Sequence, residues 1–155
     1  MKKLFFSTIG NENFGDESMI INYIKKSNFK DEDIEIITEK PENVKDKHKE
    51  YIFYNAIENF NLNPKSKILF IFGMLLNKSP LEKSVQLLHP MDEYESFTMA
   101  GGGNLNSNYI NTLIIIYTIA KKFKDSGKKV YFRPQSVGPF SGKWDKIARL
   151  ILKKI

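Results

Sequence analysis

Residues 3–24 read KLFFSTIGNENFGDESMIINYI, and the order of signals in this stretch decides the fold. Lys3–Ile9 is rich in Phe and Ile and predicts a short strand. Gly10-Asn11-Glu12-Asn13-Phe14-Gly15 follows, a composition that demands turns. Asp16 stands where a helix N-cap is expected, and Met19, Ile20, Tyr23 and Ile24 then recur at helical spacing. Ile34–Thr38 is a second strand, closed by Pro41. Strand, Gly/Asn loop, helix and strand in this order and length make a βαβ crossover, which implies parallel pairing.

The same grammar continues downstream. Glu95–Ala100 predicts a strand that opens onto Gly101-Gly102-Gly103-Asn104. A long helix follows over about Ser107–Lys124, apolar on most sides (Tyr109, Ile110, Leu113, Ile114, Tyr117 and Phe123 among others), as suits a helix packed between a sheet and other helices. Gly127 is placed to cap its C-terminus. Lys129–Arg133 is the next strand, leading into Pro134-Gln135-Ser136-Val137-Gly138-Pro139. Between these blocks the periodicity is mixed. Residues 47–60 predict a helix, and Ile68–Leu76 reads equally as a buried helix or a strand. The fold class expected is α/β, a Rossmann-like parallel sheet flanked by helices.

Bulk properties bound the function. The 155 residues suit one domain, and 41% hydrophobic with 13% aromatic residues can fill a core. With no cysteine, disulfides and thiolate metal sites are excluded. His48 and His89 sit in no ligand-spaced cluster, so no metal is expected. The net charge of +6 suits an anionic partner such as a phosphate, a nucleotide-sugar or a membrane surface, but a Lys-rich surface that simply keeps the protein soluble is the first reading of it. No nucleic-acid-binding pattern is present, so nucleic acid is not an expected partner. After Met1-Lys2-Lys3 the apolar run is only Leu4-Phe5-Phe6, too short for a signal peptide. The apolar stretches Ile68–Leu76 and Leu113–Ala120 fall well short of the ~20 residues of a membrane helix. A cytoplasmic protein is expected, soluble or peripheral at the inner face of the membrane.

Three loops each follow a predicted strand and precede a predicted helix, and such loops gather at the carboxyl edge of a parallel sheet, where ligands bind. Helix N-termini there offer free N–H groups to phosphates and carboxylates. In Asn13-Phe14-Gly15-Asp16-Glu17, Asp16 is a helix cap that can also touch substrate hydroxyls, and Glu17 favours the helix dipole. The glycines of Gly101-Gly102-Gly103-Asn104 let a ligand or a neighbouring loop approach the backbone. Their spacing is not that of a dinucleotide fingerprint. In the third loop Arg133 can hold a phosphate or carboxylate in bidentate fashion, or pair with a surface acid, while Gln135 and Ser136 add neutral hydrogen-bonding groups.

Asn13-Phe14-Gly15-Asp16-Glu17, then Gly101-Gly102-Gly103-Asn104, then Gln135-Ser136-Val137-Gly138-Pro139 together resemble the polysaccharide pyruvyl transferase family over residues 4–150, the first half of a usual member. The resemblance implies a two-domain fold similar to the GT-B glycosyltransferases. The implied reaction moves an enolpyruvyl-derived group from phosphoenolpyruvate onto two sugar hydroxyls, giving a cyclic ketal and phosphate. No cofactor is implied, phosphoenolpyruvate being the donor substrate. The acceptor would be a cell-wall or exopolysaccharide sugar, often lipid- or nucleotide-linked. The implied acceptor-side residues are Asn13, Gly15, Asp16, Glu17, Gly101, Gly102, Gly103, Asn104, Arg133, Gln135, Ser136 and Gly138. The donor contacts and a His general acid are implied in a C-terminal half. No catalytic role falls on His48 or His89, and Arg133-Pro134 departs from the apolar or aromatic pair common before the Gln.

The apolar stripe Trp144, Ile147, Ala148, Ile151, Leu152 and Ile155 meets no stop signal, so Ile155 reads as a cut point in a longer two-domain chain, or else the stripe is a C-terminal docking helix. A GT-B glycosyltransferase fragment and a non-catalytic carbohydrate- or nucleotide-binding module are the alternatives to a pyruvyl transferase.

Overall fold

Lys2–Phe6 (β1) is the middle strand of a sheet whose two faces are both covered. Its residues Leu4, Phe5 and Phe6 are therefore all buried, and the segment reads as a continuous apolar run instead of an alternation. The computed structural model describes residues 1–10, 14–55, 64–76, 78, 81, 85–101, 105–133 and 137–155. Along the chain, β1 is followed by helix α1 (Phe14–Lys26), strands β2 (Ile34–Ile37) and β3 (Ile52–Tyr54), and helix α2 (Pro64–Leu75). Strand β4 (Tyr94–Met99), helix α3 (Ile110–Asp125), strand β5 (Lys129–Phe132) and helix α4 (Asp145–Lys154) complete it.

The five strands lie in the order β3-β2-β1-β4-β5, and every neighbouring pair is parallel. Leu4 is level with Glu35 on one side and with Phe97 on the other, and Phe97 with Val130. The chain thus builds outward from β1 to β3, then crosses back through α2 to the opposite side. The result is a Rossmann-like α/β sheet with its topological switch point between β1 and β4.

Alternation along the strands splits the core into two layers. Leu4, Phe6, Phe97 and Met99 meet α2, α3 and α4 on one face, whereas Phe5, Ile34 and Ile36 meet Ile20, Ile21 and Ile24 of α1 on the other. A register shift interrupts β4: Lys2 pairs with Tyr94 but Lys3 with Ser96, and the extra residue, Glu95, turns Tyr94 onto the same face as Phe97. Helix α3 is buried from Thr112 to Ala120 without a break, and the hydroxyl of Thr118 at its centre donates to the Ile114 carbonyl at 2.8 Å. A Schellman motif ends it. Gly127 at φ +71° donates its N–H to the Lys124 carbonyl at 2.9 Å, and Lys128 donates to the Phe123 carbonyl at 2.9 Å.

Two expectations need revision or resolution. The helix expected over residues 47–60 is not formed in its described part, where turns lead into strand β3, while residues 56–60 lie outside the described residues. Ile52 and Phe53 gain ladder bonds to β2 that a marginal isolated helix could not match. Ile68–Leu76, ambiguous in sequence, belongs to helix α2 and the turn after it.

Candidate functional site

Past the end of β1 the chain stays buried although it turns polar: Ser7 is 1% and Thr8 7% exposed. Thr8 Oγ1 donates to Asp16 Oδ2 at 2.8 Å. Helix α1 begins at Phe14, so Asp16 occupies its first turn and is not the N-cap that the sequence suggests. Its carboxylate is turned toward the end of β1, where the helix dipole also favours negative charge.

The loops after β4 and β5 join this edge. Ala100 donates its N–H to the Phe6 carbonyl at 3.1 Å, and Gly101 follows at φ +81°. A Cβ at Gly101 would stand 3.3 Å from the Asp16 carbonyl oxygen and 3.5 Å from Ser7 Oγ, so the first and second motif loops meet through a glycine. Arg133 donates its N–H to the Met99 carbonyl at 3.0 Å. Leu105 and Val137 form a parallel bridge, and Gly138 donates to the Leu105 carbonyl at 2.9 Å. Ser107 Oγ donates to the Ser141 carbonyl at 2.8 Å and accepts from the Ser141 N–H at 2.9 Å. The second and third loops are thereby stitched into one ledge beside the switch point.

Between this ledge and α1 lies a cleft of about 290 Å³, lined by Met19, Asn22, Tyr23, Lys26, Gly101 and Arg133, together with Ala100. The Arg133 guanidinium carbon sits 4.8 Å from the centroid of the Tyr23 ring and 5.4 Å from that of Tyr131. Among the described residues Arg133 forms no ion pair, so the surface-acid role open in the sequence is not taken up there. A guanidinium held on aromatic faces keeps its N–H edge for an anion, and Lys26 adds a second cation in a mostly apolar pocket.

Of the residues expected at the site, the structure gathers Asp16, Gly101, Arg133 and Gly138 at this edge, with Gly15 in the first turn of α1. Glu17 is turned elsewhere: its Oε1 lies 3.0 Å from His48 Nε2, beside a separate cleft of about 180 Å³ lined also by Ser18, Ile21 and Asn22. Asn13, Gly102, Gly103, Asn104, Gln135 and Ser136 lie outside the described residues. Sequence reasoning missed Ser7, Thr8, Tyr23 and Lys26. A polar pair closing an otherwise apolar strand was the available signal for Ser7 and Thr8. Tyr23 was legible only as part of an apolar helix face.

The opposite edge of the sheet holds a different polar cluster. Glu35 is fully buried in β2, accepts a 2.6 Å hydrogen bond from Tyr94 OH, and has His89 Nε2 3.0 Å from its second oxygen, outside hydrogen-bond geometry. Burial, reinforced by the Glu35 carboxylate, pushes the phenols of both Tyr94 and Tyr54 well above their ordinary range.

No family model, curated protein or solved structure matches the chain.

Proposed function

We infer that this chain is the acceptor-binding part of a polysaccharide pyruvyl transferase, an enzyme that builds a pyruvate ketal on a cell-wall or exopolysaccharide sugar from phosphoenolpyruvate. The observation that supports this reading best is the convergence of the described parts of the three motif loops: Asp16 against Gly101, and Leu105 against Val137.

In this reading the cleft takes the anionic carrier of the acceptor. Arg133 and Lys26 would face a phosphate of a nucleotide- or lipid-linked sugar, and the Asn22 amide would hydrogen-bond to hydroxyls near it. Ketal formation requires the alkene carbon of the donor to be protonated as a sugar hydroxyl attacks, and cationic groups to hold the donor's phosphate and carboxylate. The general acid and the donor contacts are assigned to a second domain. The chain described here would position the acceptor hydroxyls and do no chemistry alone.

Thermal denaturation with ligands tests the assignment, because a ligand that binds only the folded state raises the melting temperature. UDP-linked amino sugars should raise it and phosphoenolpyruvate should not, and Arg133→Ala should cut the shift at fixed ligand to a small fraction. A shift with phosphoenolpyruvate alone would reverse the assignment of the halves. A UDP-sugar shift unaltered in Arg133→Ala would remove the ligand from this cleft.

A further inference from the structure

Helix α2 packs only half of itself into the protein. Phe70 and Met74 are fully buried, with the Phe70 ring edge-on to Tyr117 at 5.4 Å. The opposite side carries Ile68, Leu69, Phe72 and Leu75, continued by Leu76 in the turn that follows, and each of these five is 55–68% exposed. Their spacing (i, i+1, i+4, i+7, i+8) makes one continuous outward stripe. Scattered apolar residues at a surface are ordinary, but a contiguous apolar face of this kind marks a site of association.

The charges around the stripe say what it associates with. Residues 59–81 contain Lys65, Lys67 and Lys78 and no Asp or Glu. Lys65 and Lys78 are exposed beyond the two ends of the stripe, and the Lys67 ammonium lies 5.3 Å from the Trp144 ring centroid. A second copy is a poor occupant. Pairing two α2 helices about a two-fold axis would set lysines beside lysines with no acid in the segment to offset them. A bilayer of anionic lipid fits both halves of the pattern, with apolar side chains entering the acyl boundary and lysines at both ends reaching the headgroups. Twelve helical residues span about 18 Å, less than the ~30 Å hydrocarbon thickness, so the helix would lie in the plane of the surface.

We propose that the outer face of α2 is a docking surface for anionic lipid bilayers. It uses none of the residues assigned to the acceptor cleft, so it stands or falls independently of the pyruvyl transferase reading. The chain has no cysteine, so a single one introduced as Phe72→Cys and labelled with an environment-sensitive fluorophore reports on this face alone. With vesicles of phosphatidylcholine and phosphatidylglycerol the label should shift to the blue. The same label at Ser27→Cys, beyond α1 on the opposite layer, should not. In flotation with the same vesicles, the double variant Leu69→Ser/Phe72→Ser should no longer float. Each Lys→Ala change at Lys65 or Lys78 should weaken partitioning roughly fivefold. Melting temperatures of these exposed-residue variants serve as the folding control. Flotation undiminished in the double variant would overturn the proposal. So would a chain that ignores anionic vesicles and instead sediments as a dimer dispersed by that variant, which would give the face to a second copy.

Discussion

Gly101 and Gly142 share a positive φ, +81° and +75°, but not their surroundings. Nothing lies within 4 Å of a Cβ at Gly142, while at Gly101 the Asp16 carbonyl and Ser7 Oγ stand in the way. Valine at Gly142 meets only backbone strain, about 1–3 kcal/mol. Valine at Gly101 meets the same strain and must also push the start of α1 away from β4. Gly101→Val should therefore be the less stable variant in urea titrations and should lose the ligand-induced thermal shift that Gly142→Val keeps. Equal ligand responses would mean that the contact between the first two loops has no bearing on binding. Arg133 teaches the complementary lesson. Its charge was legible from sequence, and so was Tyr131 two residues before it, but Tyr23 reaches it from α1 and nothing local to Arg133 announces that ring.

At the scale of elements, the loops after β4 and β5 are joined by the Leu105–Val137 bridge and by Ser107, whose hydroxyl both donates to and accepts from Ser141. Ser107→Ala should cost a modest 0.5–1.5 kcal/mol or so, because Ser141 is exposed and water can replace the lost partner. Its clearer signature should be faster amide hydrogen exchange at Gly138, whose N–H closes the bridge, with exchange in α3 unchanged. Unaltered exchange at Gly138 would show the two loops to be independent. Elements with a strong period and a proper stop were legible in sequence: β1, α1, β4, α3 with its Gly127 cap, and β5. Strand β3 was not. It has three residues and lies at the sheet edge, and pairing with β2, distant in sequence, forms it where local pattern suggested a helix. Helix α2 was ambiguous because a continuous apolar run suits a buried strand and a two-sided helix alike.

Over the whole molecule, the two edges of the sheet do opposite work. The carboxyl edge is open, carries glycines and a guanidinium that forms no ion pair among the described residues, and holds the cleft. The amino edge is closed around Glu35, whose buried carboxylate is held by Tyr94 across the β1–β2–β4 core. That closure links global stability to pH. Because the folded state raises the Tyr94 phenol above its ordinary value, folded protein retains a proton that the unfolded chain releases once the pH passes about 10. Fewer protons on the unfolded state means that stability is fully present below that pH and falls above it. Tyr94 alone should contribute a slope of about 1.4 kcal/mol per pH unit. Tyr54, raised for the same reason, adds to the limb. Tyr94→Phe removes the Glu35 hydrogen bond, so at pH 8 it should be less stable by about 1–3 kcal/mol. Yet its stability should decline less steeply with alkali, so the gap to the parent chain should narrow from about pH 10 upward. The difference between the two urea-denaturation profiles reports the Tyr94 phenol together with its influence on the neighbouring Tyr54. Parallel profiles through the alkaline range would mean that the Tyr94 proton is not linked to folding, and that Glu35 is held by its other neighbours, His89 and Lys2.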